Sequence, residues 1–166
     1  MPRDISFAWT TPALLAGAKT VTRREWMDRY ALGFHSQAEA IATDRQRRFK
    51  GKPIAIIRIT QDLYQEWSND APPEDYAAEG FDFLTKIGAK VDGLSPGTLW
   101  RAWHMKAGQH QFYVVRFELV ERLVPHPHYC ARCLSAWEHV PKDCNEPPEL
   151  EHVSQCSTLS EASPSR

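Results

Sequence analysis

The chain has 166 residues, 42% hydrophobic and 25% charged, the composition of one ordinary globular domain with a modest extension. Its formal net charge of −1 excludes a global field that would draw it onto nucleic acid or an anionic membrane, so any such affinity has to come from a local basic patch. The opening MPRDISFAW lacks an apolar segment of signal-peptide length, and no apolar stretch approaches the roughly 18–20 residues that span a bilayer. The expectation is an intracellular, cytoplasmic protein with no membrane partner.

In chain order, Asp4 to Trp9 alternates Ile5, Phe7 and Trp9 on one face, the pattern of a half-buried strand. Thr11 then caps a short helix with Pro12 in its first position, and Gly17 supplies the left-handed residue that ends it. Lys19 to Arg24 follows as an extended segment, with Thr20, Thr22 and Arg24 on one side and Lys19, Val21 and Arg23 on the other. Ser36 to Phe49 reads as helix or irregular insertion, closing on the basic cluster Arg45, Arg47, Arg48, Lys50 and Lys52.

Pro53 to Thr60 is β-branched and apolar after a turn-forming Gly51, hence a strand. Asp70 caps a helix carrying Glu74 and Asp75 in its first turn, and Gly80 ends or bends it, placing Glu79 at a helix end. Phe81 to Ile87 forms a second short helix, and VDGLSPG is turn-rich. Gln111 to Val120 is the strongest strand, with Tyr113, Val115, Phe117 and Leu119 on one face. Short strands interrupted by helices predict an α+β fold, a small barrel more than a doubly wound sheet. The folded unit closes near residue 122, a Cys/His-containing extension covers 123–152, and 153–166 lacks periodicity and reads as a disordered tail.

Three of these stretches carry a family resemblance. DISFAWTTPALLAGAKTVTRREW, DYAAEGFDF around Glu79 and QFYVVRFELV occur in the order and spacing of an ASCH domain, a member of the PUA-like superfamily. GAKTVTRR is similar to that family's G-x-K-T-x-T-x-R signature. The resemblance covers roughly residues 4 to 121. It implies a small PUA-like β-barrel with flanking short helices and a cleft, and binding of RNA or a modified nucleoside. One branch of the family hydrolyses an N-acylated cytidine with a lysine, a threonine and a glutamate, which by motif fall on Lys19, Thr22 and Glu79. The region after the signature, GFHSQAEAIATDRQRRFKGKP, departs from the Gly-Asp pair that many members carry there.

The residue chemistry supports three uses of such a cleft. For amide hydrolysis, Thr22 attacks or orients water, Lys19 removes the proton if desolvation lowers its pKa, Glu79 passes a proton to the leaving amine, and Arg24 clamps the oxyanion. For binding alone, Lys19, Thr20, Thr22, Arg23 and Arg24 contact phosphate and sugar, Arg45, Arg47 and Arg48 extend the grip, and Trp9, Trp26, Tyr64 or Trp103 stacks a base. For ribonuclease action, Lys19, Glu79 and a histidine such as His104 or His110 move protons at a ribose hydroxyl. A charged edge strand with no ligand is the plain alternative.

No cofactor is expected for the main domain. In the extension, Cys130 and Cys133 have the two-residue gap that suits zinc, and Cys144, Cys156, His126, His128 and His139 offer further ligands, with Cys130, Cys133, Cys144 and His139 the candidate set.

Overall fold

The computed structural model of the chain describes residues 2–105, 110–124, 128–129 and 136–137. Six strands, β1 (Arg3–Ser6), β2 (Val21–Arg24), β3 (Glu39–Thr43), β4 (Pro53–Ile59), β5 (Tyr64–Trp67) and β6 (Gln111–Arg122), build one curled mixed sheet. Short helices lie between them: α1 (Thr11–Leu15), α2 (Asp28–Ala31), α3 (Asp75–Ala78), α4 (Phe81–Lys86) and α5 (Pro96–His104). The strand order is β1-β3-β4-β6-β2, with β5 also on β6. The β1–β3 pair is parallel and every other pair in this sheet is antiparallel. A mixed α+β fold with a curled, half-barrel sheet is therefore what these residues adopt. Beyond it, His128–Tyr129 pairs with Ala136–Trp137. No helix among the described residues is long and apolar enough to cross a membrane.

β6 organizes the rest because it is long enough to serve three partners. Along one edge its C-terminal half pairs with β4 and its N-terminal half with β5. Along the other edge, Tyr113 to Arg116 pair with β2. Val115 and Phe117 enter the main core with Ile5, Phe7, Leu14, Ile57 and Ile59. A second cluster, Ala13, Phe81 and Leu84 with Tyr76 and Trp100 against it, lies under the helices. Directly opposed residues share a sheet face, so Val21 and Arg23 lie with Arg116 and Val114, while Thr22 and Arg24 lie with Val115 and Tyr113.

Four local expectations are corrected. The first strand stops at Ser6. Phe7 turns into helical backbone (φ −108, ψ −17) to stack edge-on against Phe117, and Trp9 leaves the sheet in the turn Ala8–Thr10. The cap position of α1 is Thr10, whose hydroxyl donates to the Phe7 carbonyl at 2.7 Å instead of capping the helix. Ser36 to Phe49, expected as helix or irregular insertion, contains a strand and only one 3-10 turn, Arg47–Phe49: Ala40 and Ala42, both fully buried, place β3 between β1 and β4, and two-sided pairing overrides the helix preference of Ala and Glu. Asp70 closes the turn Ser68–Asp70 and caps nothing, because Ala71, ahead of Pro72, is held extended (ψ 124) and α3 begins only at Asp75. Gly17 does take its left-handed conformation (φ 74), ending α1 where expected.

Candidate functional site

Two tight turns bring the site together. After Gly17, Ala18 N–H returns to the Ala13 carbonyl at 2.9 Å and Thr20 N–H reaches the Ala78 carbonyl at 2.8 Å, so the chain around Lys19 is laced to the end of α3. Glu79 is the C-terminal cap of α3, and Gly80 (φ 82) makes the corner into α4. A Cβ on Gly80 would lie 2.5 Å from Ala13 Cβ and 3.2 Å from Lys19 Cβ. Only glycine accepts both this backbone and this proximity.

Lys19 Nζ donates to Glu79 Oε2 at 2.5 Å and to the Glu79 carbonyl at 2.9 Å. Both residues are buried, 2% and 5% exposed. Across the pair, Arg23 Nη1 donates to Glu79 Oε1 at 3.1 Å, Arg23 Nε donates to Glu66 Oε1 at 2.8 Å, and Arg23 Nη2 also donates to Asp75 Oδ2. Asp75, itself buried, accepts a two-pronged contact from Arg116 at 3.0 and 2.9 Å, and Arg116 Nε reaches the Tyr64 hydroxyl at 3.2 Å. The result is a buried chain of charge, Lys19–Glu79–Arg23–Asp75–Arg116, with the ring of Trp103 5.5 Å from the Arg23 guanidinium.

The remaining signature residues are placed differently. Thr22 is buried on the opposite face of β2 from Arg23, and its hydroxyl makes no hydrogen bond to Lys19 or Glu79. Arg24 donates through Nη2 to the Ser6 carbonyl and lies 5.6 Å from the Phe7 ring, while its buried Nε has no partner. Thr20 is exposed. Arg23, expected to meet phosphate, spends its donors on three carboxylates. Arg45, Arg47 and Arg48 sit in the exposed loop between β3 and β4, where Arg45 pairs with Asp44 at 3.6 Å and Arg47 with Asp4. Neither histidine joins the site: His104 faces the Trp100 and Ala71 carbonyls at 3.0 and 3.3 Å, and His110 meets Glu25 at 2.9 Å.

Burial dominates the electrostatics. Desolvation pulls the Lys19 ammonium below its ordinary pKa, against the attraction and hydrogen bond of Glu79 and with the help of the Arg24 and Arg23 charges. Burial also lowers Arg24, opposed by Glu79. For Arg23, burial pulls down and the Asp75, Glu79 and Glu66 carboxylates more than reverse it, leaving it raised. A lysine held closer to neutrality can exchange a proton, and an arginine with an orphaned donor can meet developing negative charge.

Asp75, Glu66 and Arg116 are members of the site that the sequence reading does not name, and Tyr64, expected to stack a base, instead holds Arg116 through its hydroxyl. Arg116 carried a signal: a charged side chain inside the apolar run from Phe112 to Phe117, on the face of Val114. Asp75 had none, since a carboxylate in a first helical turn has an ordinary explanation. Among the described residues, no group of His, Cys, Asp or Glu is arranged to hold a metal. Cys130, Cys133, Cys144 and His139 lie outside the described residues.

A cavity of about 600 Å3 is lined by Ala8, Trp9, Thr11, Asp44, Arg45 and Phe49. Trp9 also stacks on Phe81 with centroids 5.3 Å apart, which joins the cavity wall to the segment following Glu79. The Thr11 hydroxyl is buried without a partner.

Neither models of known protein families nor curated proteins match the chain. Among solved structures it is similar to a crystal structure of an Enterococcus faecalis protein described as DUF984, at 18% identity and a TM-score of 0.45, covering 74% of this chain and 78% of that one.

Proposed function

We propose that this chain is an ASCH-type domain of PUA-like architecture that binds a modified nucleoside and hydrolyses the amide of an N-acylated, cytidine-type base at Lys19, Thr22 and Glu79. The observation that carries the reading is the buried Lys19–Glu79 contact at 2.5 Å with its amine pulled toward neutrality. Burying an ion pair is a poor way to stabilise a fold, because the cost of desolvating both ions offsets their attraction. Strongly perturbed ionisable groups concentrate where proton transfer is needed.

In this reading the neutral amine of Lys19 takes a proton from the attacking group, the Thr22 hydroxyl or a water that it orients. The acyl carbon adds that oxygen, its carbonyl oxygen becomes negative, and the unpartnered donor of Arg24 stabilises it. Glu79 passes the proton to the departing exocyclic amine; where Thr22 is the nucleophile, water then hydrolyses its acyl ester, and on either route the products are a carboxylate and the deacylated nucleoside. Lys19, Thr22 and Glu79 are all buried and Thr22 lies across β2 from Arg23, so this reading requires a local opening that admits the acyl group and brings Thr22 toward the pair. Apo contacts often tighten only in the substrate complex. Trp9, 37% exposed beside the 600 Å3 cavity, is the ring available to stack the base.

Binding of RNA or a nucleoside without turnover is the second reading, favoured by the basic loop of Arg45, Arg47 and Arg48. Incubating the chain with N4-acylated cytidines and short RNAs, with chromatographic readout, separates the two. Loss of the acyl group that vanishes in Lys19→Ala and Glu79→Gln, but survives Arg45→Ala with Arg48→Ala, supports hydrolysis. Full turnover by a folded Lys19→Ala overturns it. Salt-sensitive RNA binding without any product selects the second reading.

A further inference from the structure

A second cavity, of about 810 Å3, lies away from the Lys19–Glu79 pair and has a chemistry of its own. It is lined by Arg3, Arg29 and Arg48 together with Trp26, Tyr30 and Glu25, among others. Its arginines differ from most others in the fold. Arg23, Arg45, Arg47, Arg58 and Arg116 each pair with a carboxylate, whereas Arg3, Arg29 and Arg48 have no carboxylate partner among the described residues. Glu25, the carboxylate on the wall, is engaged by His110 at 2.9 Å.

The wall is also built to hold a flat group. Trp26 stacks on Phe34 with centroids 4.7 Å apart and planes 13° from parallel, and Tyr30 meets both rings edge-on. Arg3 is positioned, not loose: Nη1 donates to the Tyr30 carbonyl at 3.1 Å, its guanidinium lies 5.3 Å from the Tyr30 ring, and it packs so closely on Gly33 that a Cβ there would sit 1.9 Å from it. Arg48 lies 4.8 Å from the ring of Phe49, and three guanidiniums on one cavity wall supply donors for phosphate oxygens, while aromatic faces accept a planar ring.

We infer that this pocket is a second ligand site, for a phosphorylated nucleoside, in which Arg3, Arg29 and Arg48 hold the phosphate and Trp26 the base. Phosphate supplies the charge that the arginines lack, and the ring covers the half-buried indole. The site is independent of the Lys19 centre, because no residue of that centre lines it.

The test is calorimetric titration of the full chain with the four nucleoside 5′-monophosphates, the matching nucleosides, inorganic phosphate and a short RNA. At least one monophosphate should bind about tenfold or more tightly than its nucleoside and than phosphate alone, a difference of about 1.4 kcal/mol. The affinity should fall as salt rises. Arg29→Ala with Arg48→Ala, both at exposed positions, should weaken it about tenfold or more, while Lys19→Ala, measured under conditions where circular dichroism shows it folded, leaves it unchanged. A monophosphate bound no better than its nucleoside, or bound equally by the double variant, overturns the inference. So does binding lost only in Lys19→Ala, or binding confined to the RNA. Absence of nucleoside hydrolysis by the native chain, with this binding intact, would instead remove the function proposed for Lys19 and leave the second pocket standing.

Discussion

Lys19 grips Glu79 twice, through the carboxylate at 2.5 Å and through the same residue's backbone carbonyl at 2.9 Å. Both contacts come from the same ammonium, so Glu79→Gln removes the charge of the first and keeps the second, whereas Lys19→Met removes both. Lys19→Met leaves the Glu79 carboxylate buried with only Arg23 beside it. Removing one partner of a buried pair costs about 3–5 kcal/mol, whereas removing both can approach neutrality. Denaturant unfolding should show Lys19→Met and Glu79→Gln each strongly destabilised and the double variant well short of their sum. Strict additivity would mean the pair is not coupled.

The lowered pKa of Lys19 fixes the sign of a pH effect. Between its folded value and the ordinary value of 10.5, the unfolded chain holds a proton at this site that the folded chain has released, so stability rises with pH. The contribution is complete above the unfolded value and is lost as pH falls through the folded one. The stability of the native chain relative to Lys19→Met should therefore climb as pH approaches ~10.5 from below. A decline over that range would show that the attraction of Glu79 outweighs burial.

Asp75 is the joint between Arg23 and Arg116, accepting from both through its carboxylate. Asp75→Asn keeps the shape but removes the charge and replaces one acceptor with a donor facing a guanidinium. We expect a loss of about 3–5 kcal/mol in unfolding free energy. Any amidohydrolase activity should also shift its pH profile, because Arg23 then leans more heavily on Glu79. An unchanged profile would limit Asp75 to a structural role.

Gly80→Ala tests the corner that presents Glu79. Its φ of 82 and the 2.5 Å approach to Ala13 Cβ leave no room for a methyl group. Left-handed strain and overpacking each cost on the order of 1–3 kcal/mol. The melting temperature should fall accordingly. Gly93→Ala, at a similar φ of 79 but with nothing within 4 Å, should cost less.

Much of the chain announces its structure locally. Pro12 and Gly17 bracket α1, the β-branched run after Gly51 becomes β4, and the apolar stretch from Gln111 becomes β6. These signals are near neighbours in sequence, and steric and turn preferences act at that range. The strand Glu39–Thr43 was hidden because Ala, Glu and Gln favour helices in isolation. Its identity comes from hydrogen bonds to β1 and β4 that no local window contains.

The candidate site divides along the same line. Lys19, Thr22, Arg24 and Glu79 were legible from the signature and from the glycine after Glu79, both short-range patterns. That Arg23 would turn inward to three carboxylates, that Thr22 would face away from Lys19, and that Asp75 and Arg116 would complete the charge chain was decided by the register of β2 on β6 and the docking of α3 against them. Local sequence sets which backbone a segment prefers. Which charges end up sharing a low-dielectric interior depends on segments some 40 to 60 positions apart meeting there, and only packing determines that.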